Sequence, residues 1–402
     1  MPSHATELHQ TTLDAALRRD LSVLDHADLR RETHPVRERR GAAVSADGRL
    51  AIDFSSNDYL GLAGDVRIAD AITSALQREG TGAAAARLIS GTNELHEQLE
   101  GELAKFKGTE AALLFASGYA ANTGAIPALA SRGDVVYADA LNHASLIDGC
   151  RLSRAEVKIF PHLDIDRLDE MLRDDAGHDG RRWIIVDSVF SMDGDLFPLD
   201  ELVPIAHEHG AFTYVDDAHG TGVLGANGRG SAERWNVEHQ VDVSMGTLGK
   251  AIGTTGAFIA GSRVLRDWLL NRARAFVFTT AAPPALAAGT SEALRIIQAE
   301  PWRRDRLHAN ARALREGLNS LGREPAGEAD GHIIPLVIGE AAAAARMGAA
   351  LRDRGFLVGA VRPPTVPLGS SRLRITASAA HTPEQIAGLI GALRDLLPRR
   401  AS

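Results

Sequence analysis

The chain of 402 residues carries a single cysteine, Cys150. One thiol can neither close an internal disulfide nor build a multi-thiolate zinc or iron–sulfur site, and such sparse cysteine suits a reducing cytoplasm. Long apolar runs are lacking as well. The longest uncharged stretch, residues 111–131, is long enough to span a bilayer, but Ser117, Asn122, Thr123 and Pro127 interrupt it, so no membrane helix is expected. The N-terminus has no basic segment followed by an apolar core and a small-residue cleavage site, so no signal peptide is expected. Positive charge is not in excess: 44 Lys+Arg against 52 Asp+Glu leave −8. That balance disfavours nucleic acid or an anionic membrane as a partner.

Several common catalytic signatures are absent too. Residues 244–250 end in Gly-Lys, but a phosphate loop needs glycine at 244 and a hydroxyl residue at 251, where Ser244 and Ala251 stand. Neither G-x-S-x-G nor H-E-x-x-H occurs, and His207 and His209, two apart, would not share a helix face. No metal site is expected. Residues 225–230 run G-x-x-G-x-G, the reverse of a dinucleotide fingerprint, after no clear strand, and read as a flexible loop.

What is present is an ordinary globular composition, 45% apolar and 24% charged, in a length that allows two or three packed units. Within residues 12–35, Leu13, Ala16, Leu17, Leu21, Leu24 and Leu29 recur at near-helical spacing, predicting an amphipathic helical arm that stops at His34-Pro35. Short apolar runs follow at 111–115, 135–137, 157–160, 183–186, 211–215 and 241–245, separated by helical segments such as 199–209. Strands buried on both faces look like this, and their alternation with helices predicts an α/β fold: a mostly parallel central sheet with helices on both faces. Beyond Pro284 come long Ala/Arg/Leu helices, an apolar run at 332–338, a helix at 341–354, strands at 356–361 and 373–376, and a closing helix. That last helix is announced by Thr382, Pro383 and Gln385, a capping box with proline at the first turn. The expected division is an N-terminal arm (1–60), a large domain (61–285) and a smaller α+β C-terminal domain (286–402), with a ligand cleft between the last two.

Four features belong together chemically. Residues 211–219 read as a strand delivering Asp216 and Asp217, then His219, at its carboxyl end, where open α/β sheets bind ligands; an acid there can keep a heteroaromatic ring protonated. Lys250 closes a run of small residues after another strand, where desolvation would lower its pKa and make it an imine-forming amine. Gly118 and Tyr119 sit at a strand-to-helix junction whose free N–H groups can hold a phosphate. His143, after a further strand end, can stack on a flat ring. Each alone has a bland reading: a loop acid, a surface lysine, a packing glycine, a structural histidine. Jointly they are what pyridoxal 5′-phosphate requires of a protein.

At these residues the chain resembles the α-oxoamine synthases, pyridoxal-phosphate transferases of the aspartate-aminotransferase fold (fold type I), from about residue 21 to the end. The motifs are residues 54–62 (FSSNDYLGL), 117–122 (SGYAAN), 142–145 (NHAS), 189–194 (VFSMDG), 215–222 (VDDAHGTG) and 247–250 (TLGK). Residues 362–374 (RPPTVPLGSSRLR) resemble the version found in the biotin-pathway branch. The resemblance implies a decarboxylative condensation of L-alanine with a pimeloyl thioester, carried by CoA or an acyl carrier protein, in a cytoplasmic homodimer with its active site at the interface. By position, Lys250 would carry the cofactor as a Schiff base, Asp216 would pair with the ring nitrogen and His143 would stack on the ring. His219 and Ser191 would face the phenolic oxygen. Gly118 and Tyr119 would hold the phosphate with Thr247 nearby, and Thr279 and Thr280 would reach the partner's phosphate. Arg362 would bind the amino-acid carboxylate with Asn57 assisting, and Arg31 and Thr365 match substrate-contacting positions. One departure stands out: where relatives read glycine and then a hydroxyl residue before arginine, this chain has Ala85 and Ala86 before Arg87, which removes a permissive backbone position and a hydroxyl. Glycine with acetyl-CoA is the alternative within the same chemistry, as in 2-amino-3-ketobutyrate CoA ligase, with 5-aminolevulinate synthase behind it. Outside it stands a non-catalytic pyridoxal-binding module, for whose DNA-binding partner domain the short arm leaves little room.

Overall fold

The computed structural model of the chain describes residues 12–46, 48–329 and 331–397; the first eleven residues of the expected arm and the last five of the expected small unit lie outside the described residues. All six expected central strands form, and a seventh joins them. Across the sheet they run Ala111–Phe115, Ala257–Gly261, Val243–Thr247, Phe212–Asp216, Arg182–Asp187, Val135–Asp139 and Glu156–Phe160. The last five are mutually parallel, whereas Ala257–Gly261 is antiparallel to both its neighbours. Its connection, residues 248–256, is too short for a crossover helix, so the chain can only return antiparallel.

Every residue of Val135–Asp139, Val243–Thr247 and Ala257–Gly261 is buried, as expected of strands covered on both faces. The pleat divides them between two cores: Val136 and Tyr214 pack with Met245 and Phe276 on one side, and Val135, Tyr137 and Val215 pack with Leu202 on the other. The uncharged stretch 111–131 is one of these strands followed by a separate helix, Gly118–Leu129. No helix among the described residues is long and apolar enough to cross a membrane. The closing helix, Pro383–Leu396, begins with the expected reciprocal box between Thr382 and Gln385.

The N-terminal segment departs from expectation. Its helix covers only Thr12–His26, with no buried residue. Asp28 takes φ 54° and the Leu29 N–H closes on the Leu24 carbonyl at 2.8 Å, a left-handed helix terminus that stops the helix well before His34-Pro35. Three unexpected strands follow, Val36–Arg40, Ala43–Ala46 and Arg49–Asp53. The expected strand at 356–361 is split: Phe356–Leu357 extends this N-terminal sheet in parallel, while Gly359–Val361 joins Ser371–Thr376 and Ile333–Gly339. The N-terminal segment is thus sewn to the C-terminal unit. One apolar core containing Phe54, Leu60, Leu103, Leu248, Leu314 and Leu373 runs across the boundary expected at 285.

The glycine cluster 225–230 is pinned, contrary to the flexible loop expected. Glu233 accepts from the backbone N–H of Asn227 and of Arg229 (3.1 and 2.9 Å), and the Gly230 N–H reaches the Leu224 carbonyl at 2.9 Å. In the 82–87 segment the left-handed position is Ala84, at φ 55°, rather than Ala85. Ala85 instead offers its carbonyl to the Ala281 N–H at 2.9 Å, and Ala86 bridges Thr280.

Candidate active site

Consecutive strand residues point to opposite faces, and this separates the two acids that end Phe212–Asp216. Asp216 is buried and accepts from Asn122 Nδ2 at 2.7 Å and the Ala218 N–H at 3.0 Å. Asn122 is held in turn by the Tyr214 hydroxyl on its Oδ1 (2.8 Å). Burial raises the proton affinity of the Asp216 carboxyl, against the opposing pull of Lys250 and these amide donors. Asp217 faces away and pairs with Lys107 Nζ at 2.9 Å; its role is structural.

Lys250 follows Val243–Thr247 in a tight turn closed by the Gly253 N–H on its carbonyl (2.9 Å). Its Nζ lies 2.9 Å from His219 Nε2. Burial lowers the ammonium pKa to about 8, partly offset by Asp216 and Asp187. His219 is buried and kept neutral, held well below the usual imidazole value first by burial and then by the Lys250 and Arg374 charges. Its Nδ1 meets the Tyr59 hydroxyl at 2.7 Å. Tyr59 donates to Asn57 Oδ1 at 2.9 Å, which also accepts from Arg374 Nη1 at 3.2 Å. Arg374 Nε donates to the Ser191 carbonyl. Arg374 is buried, yet among the described residues no carboxylate lies within ion-pair distance of it.

His143 caps the helix Ala144–Ser153, its Nδ1 accepting from the Ser145 N–H at 3.2 Å, and its own backbone N–H donates to Asp187 Oδ2 at 2.6 Å. The residue is exposed in part, yet burial of its ring lowers the imidazole pKa, with Asp216 opposing and Lys250 adding to that shift. Gly118 and Tyr119 begin Gly118–Leu129, where Ser117 Oγ accepts from the Ala120 N–H at 3.1 Å; the Tyr119 hydroxyl binds Asp148. Thr247 Oγ1 donates to the Gly256 carbonyl at 3.1 Å. Thr279 and Thr280 line a small separate cavity with Arg87 and His96.

The structure therefore joins Lys250, His219 and Asn57 in one hydrogen-bonded chain, with Asp216 and His143 within electrostatic reach. It gathers Arg31, Thr365 and Arg362 elsewhere: Arg31 donates to Thr365 Oγ1 at 3.0 Å, and Arg362 donates to the carbonyls of Asp28 and Arg30. Tyr59, Asn122, Asp187 and Arg374 were not singled out from the sequence. Tyr59 and Asn122 lie inside motifs that were, and Arg374 closes the 362–374 loop motif.

This donor set fits pyridoxal phosphate. A desolvated amine can hold an aldehyde, and a buried carboxylate bonded only to amide donors lacks a cationic N–H. An open imidazole face and the positive end of a helix complete the cradle. Fold and site define a class, and the chain belongs to it: the family of class I and II aminotransferases, whose family model matches residues 50–393. It depends on pyridoxal phosphate, as that family does, and solved serine palmitoyltransferases of the same fold hold this cofactor.

More particularly, the chain is 48% identical to 8-amino-7-oxononanoate synthase from Anaeromyxobacter dehalogenans over 379 residues, 94% of each protein. Among solved structures it superposes on Sphingomonas wittichii serine palmitoyltransferase with TM-score 0.90 and 32% identity, covering 97% of this chain and 98% of that one. It superposes on 8-amino-7-oxononanoate synthase from Francisella tularensis with TM-score 0.74 and 28% identity, covering 86% and 97%.

Proposed function

We propose that the chain condenses L-alanine with the pimeloyl group of pimeloyl-CoA or a pimeloyl-carrier protein, releasing carbon dioxide and the free thiol and yielding 8-amino-7-oxononanoate for biotin synthesis. The observation that carries this reading is the desolvated Lys250 amine, held at His219 and within reach of Asp216, in a chain that matches such a synthase over 94% of its length.

When bound, pyridoxal phosphate supplies a carbonyl that takes up amines and a ring that, while protonated, accepts the electrons released at an amino-acid Cα. Lys250 holds it, Asp216 keeps the ring nitrogen protonated, and His143 covers the ring face. Ser191 and His219 attend its oxygen side. Gly118, Tyr119 and Thr247 attend its phosphate, with Thr279 and Thr280 contributed across a homodimer. With a pKa of about 8, Lys250 Nζ is neutral in a useful fraction near neutrality, so it can take the Cα proton and later return it. Arg374 binds the amino-acid carboxylate: it is a buried, planar, two-pronged donor without an anion, set beside Asn57. The resemblance gives this role to Arg362; the donors of both arginines rest on neutral partners, but only Arg374 is buried and bonded to Asn57 in the chain that leads to Lys250. Arg31, Thr365 and Arg362 are left to form the entrance for the acyl thioester. A second copy would cover the exposed Phe278 and Ile89, which are 71% and 82% accessible and lie beside Thr279 and the Ala86 segment. The reducing cytoplasm is the compartment this assigns.

The test is product identification by mass spectrometry after mixing the chain, pyridoxal phosphate, L-alanine and pimeloyl-CoA. Parallel arms contain glycine with acetyl-CoA, and L-serine with palmitoyl-CoA. The expected result is 8-amino-7-oxononanoate in the first arm and a borohydride-reducible visible band that Lys250→Ala lacks. Turnover only in another arm overturns the substrate assignment, and a colourless protein overturns the chemistry.

A further inference from the structure

Tyr59 is completely buried, its ring meeting His332 edge-on with centroids 4.2 Å apart. Its hydroxyl lies between two groups, His219 Nδ1 at 2.7 Å and Asn57 Oδ1 at 2.9 Å, but has one proton to give. The neighbour beyond Asn57 settles where that proton goes. Arg374 has only donors, and its Nη1 at 3.2 Å fixes the Asn57 amide with its oxygen toward Tyr59. The Tyr59 proton therefore points to Asn57, and the phenolic lone pairs face His219. A short contact from those lone pairs to Nδ1 requires that Nδ1 carry a hydrogen. The imidazole is neutral, so Nε2 is left bare, 2.9 Å from Lys250 Nζ. The other charged or titratable groups acting on His219 are Lys250, Arg374, His332 and His143, and among the described residues Tyr59 alone bonds Nδ1.

We propose that Tyr59 is a positioning residue that locks the His219 proton on Nδ1, so that Nε2 stands as a hydrogen-bond acceptor for the Lys250 amine, with Arg374 and Asn57 setting the direction of the chain. Only the uncharged lysine can bond a carbonyl carbon, and a bare imidazole nitrogen at hydrogen-bond distance accepts from its N–H and so turns the amine lone pair away from His219. From Lys250 through His219 and Tyr59 to Asn57 the donors run one way, so these buried bonds reinforce each other, while Arg374, donating to the same Asn57 oxygen from the other side, fixes the orientation of the amide. The inference rests on Lys250 being the cofactor-bearing lysine.

Long-range proton–nitrogen correlation spectra of the full-length, cofactor-free chain labelled at histidine, with His219→Gln identifying the signals, read the tautomer directly. The wild type is expected as Nδ1–H. In Tyr59→Phe the ratio of Nε2–H to Nδ1–H rises about five- to tenfold, the worth of one buried hydrogen bond. Pyridoxal phosphate capture, followed by absorbance, slows by a similar factor. Asn57→Ala shifts the tautomer the same way with Tyr59 intact, because the hydroxyl is then free to donate to Nδ1, whereas Asn57→Asp keeps the acceptor and the wild-type tautomer. An Nε2–H wild type, a ratio unmoved in folded Tyr59→Phe and Asn57→Ala, or unchanged capture by Tyr59→Phe overturns the proposal. If Tyr59→Phe does not fold, the Asn57 pair decides. A chain with the expected tautomer that never binds the cofactor would instead refute the reading of Lys250.

Discussion

The ion pair between Lys107 and Asp217 is the most exposed point for a quantitative test, because both side chains are buried to within 3% and 2% of full enclosure. Asp217 also accepts from Ser188 Oγ at 2.8 Å, Thr221 Oγ1 at 3.0 Å and the Ser231 N–H at 3.1 Å. The backbone is shaped around it: Gly230 sits at φ 111°, and a Cβ there would lie 1.7 Å from Asp217 Oδ2. Lys107→Met keeps the side-chain length and strands the carboxylate without a cation, a change that costs about 3–5 kcal/mol in buried pairs. The hydroxyl and amide donors remain, which places the expectation near the lower figure. Unfolding entropy of about 2.1 cal/mol/K per residue over 402 residues converts that range to a fall of roughly 4–6 °C in Tm. Adding Asp217→Asn removes the stranded charge and should restore at least half of the loss. Thermal unfolding at fixed protein and cofactor concentration measures both, since ligand and partner each add to apparent stability. A loss under about 1 kcal/mol, or a double variant as unstable as the two single changes summed, would refute the argument.

Asp216→Asn should lower kcat about a hundredfold or more while the cofactor stays bound, because the ring loses its counter-charge rather than its anchor; steady-state kinetics beside absorbance checks this. Arg374→Lys should raise KM for alanine about tenfold or more, through loss of two-pronged carboxylate binding, and Arg362→Lys should affect the acyl thioester instead. His162 is drawn down by burial but raised on balance to about 9 by Asp139 and Asp195, at 2.9 and 3.3 Å. Its stabilisation is therefore complete below about pH 6.5 and lost as pH rises through 9; urea unfolding of wild type minus His162→Gln, measured from pH 6 to 9.5, should show that decline. Ala84→Gly should stabilise the chain by about 0.5–1 kcal/mol in urea unfolding, since only the 82–87 segment's left-handed position is relieved.

The strands that sequence pattern revealed are those in which burial on both faces leaves an unbroken apolar run, as in the VVYAD segment of Val135–Asp139. The missed ones fail that test for opposite reasons. Val36–Arg40 (VRERR) is an almost wholly exposed edge whose composition is that of a loop, and it is a strand only because Ala43–Ala46 returns against it. Ala257–Gly261 (AFIAG) is fully buried, but small residues dominate it and no β-branched run marks it; its place is fixed by pairing with Ala111–Phe115 and Val243–Thr247 on either side.

In the site, the same distinction between local and distant causes decides what could be read. Lys250, Asp216 and His219 stand at or just beyond strand ends, positions that strand pattern alone locates, and the pleat then selects Asp216 over Asp217. Arg374 lies in mid-strand in Ser371–Thr376, where all six residues are buried and an arginine looks like a packing anomaly. Arg372, two residues earlier, answers Asp193, as a buried cation ordinarily must. Arg374 finds no such acid and reaches instead an asparagine 317 residues away in sequence. Arg362 drew the carboxylate role by position, from the family resemblance; in the structure two of its donors rest on carbonyls of the arm. A buried cation whose partners are all neutral is an incomplete ion pair, and the proposed reaction, in which an amino-acid carboxylate is bound and then lost as carbon dioxide, would supply the missing half.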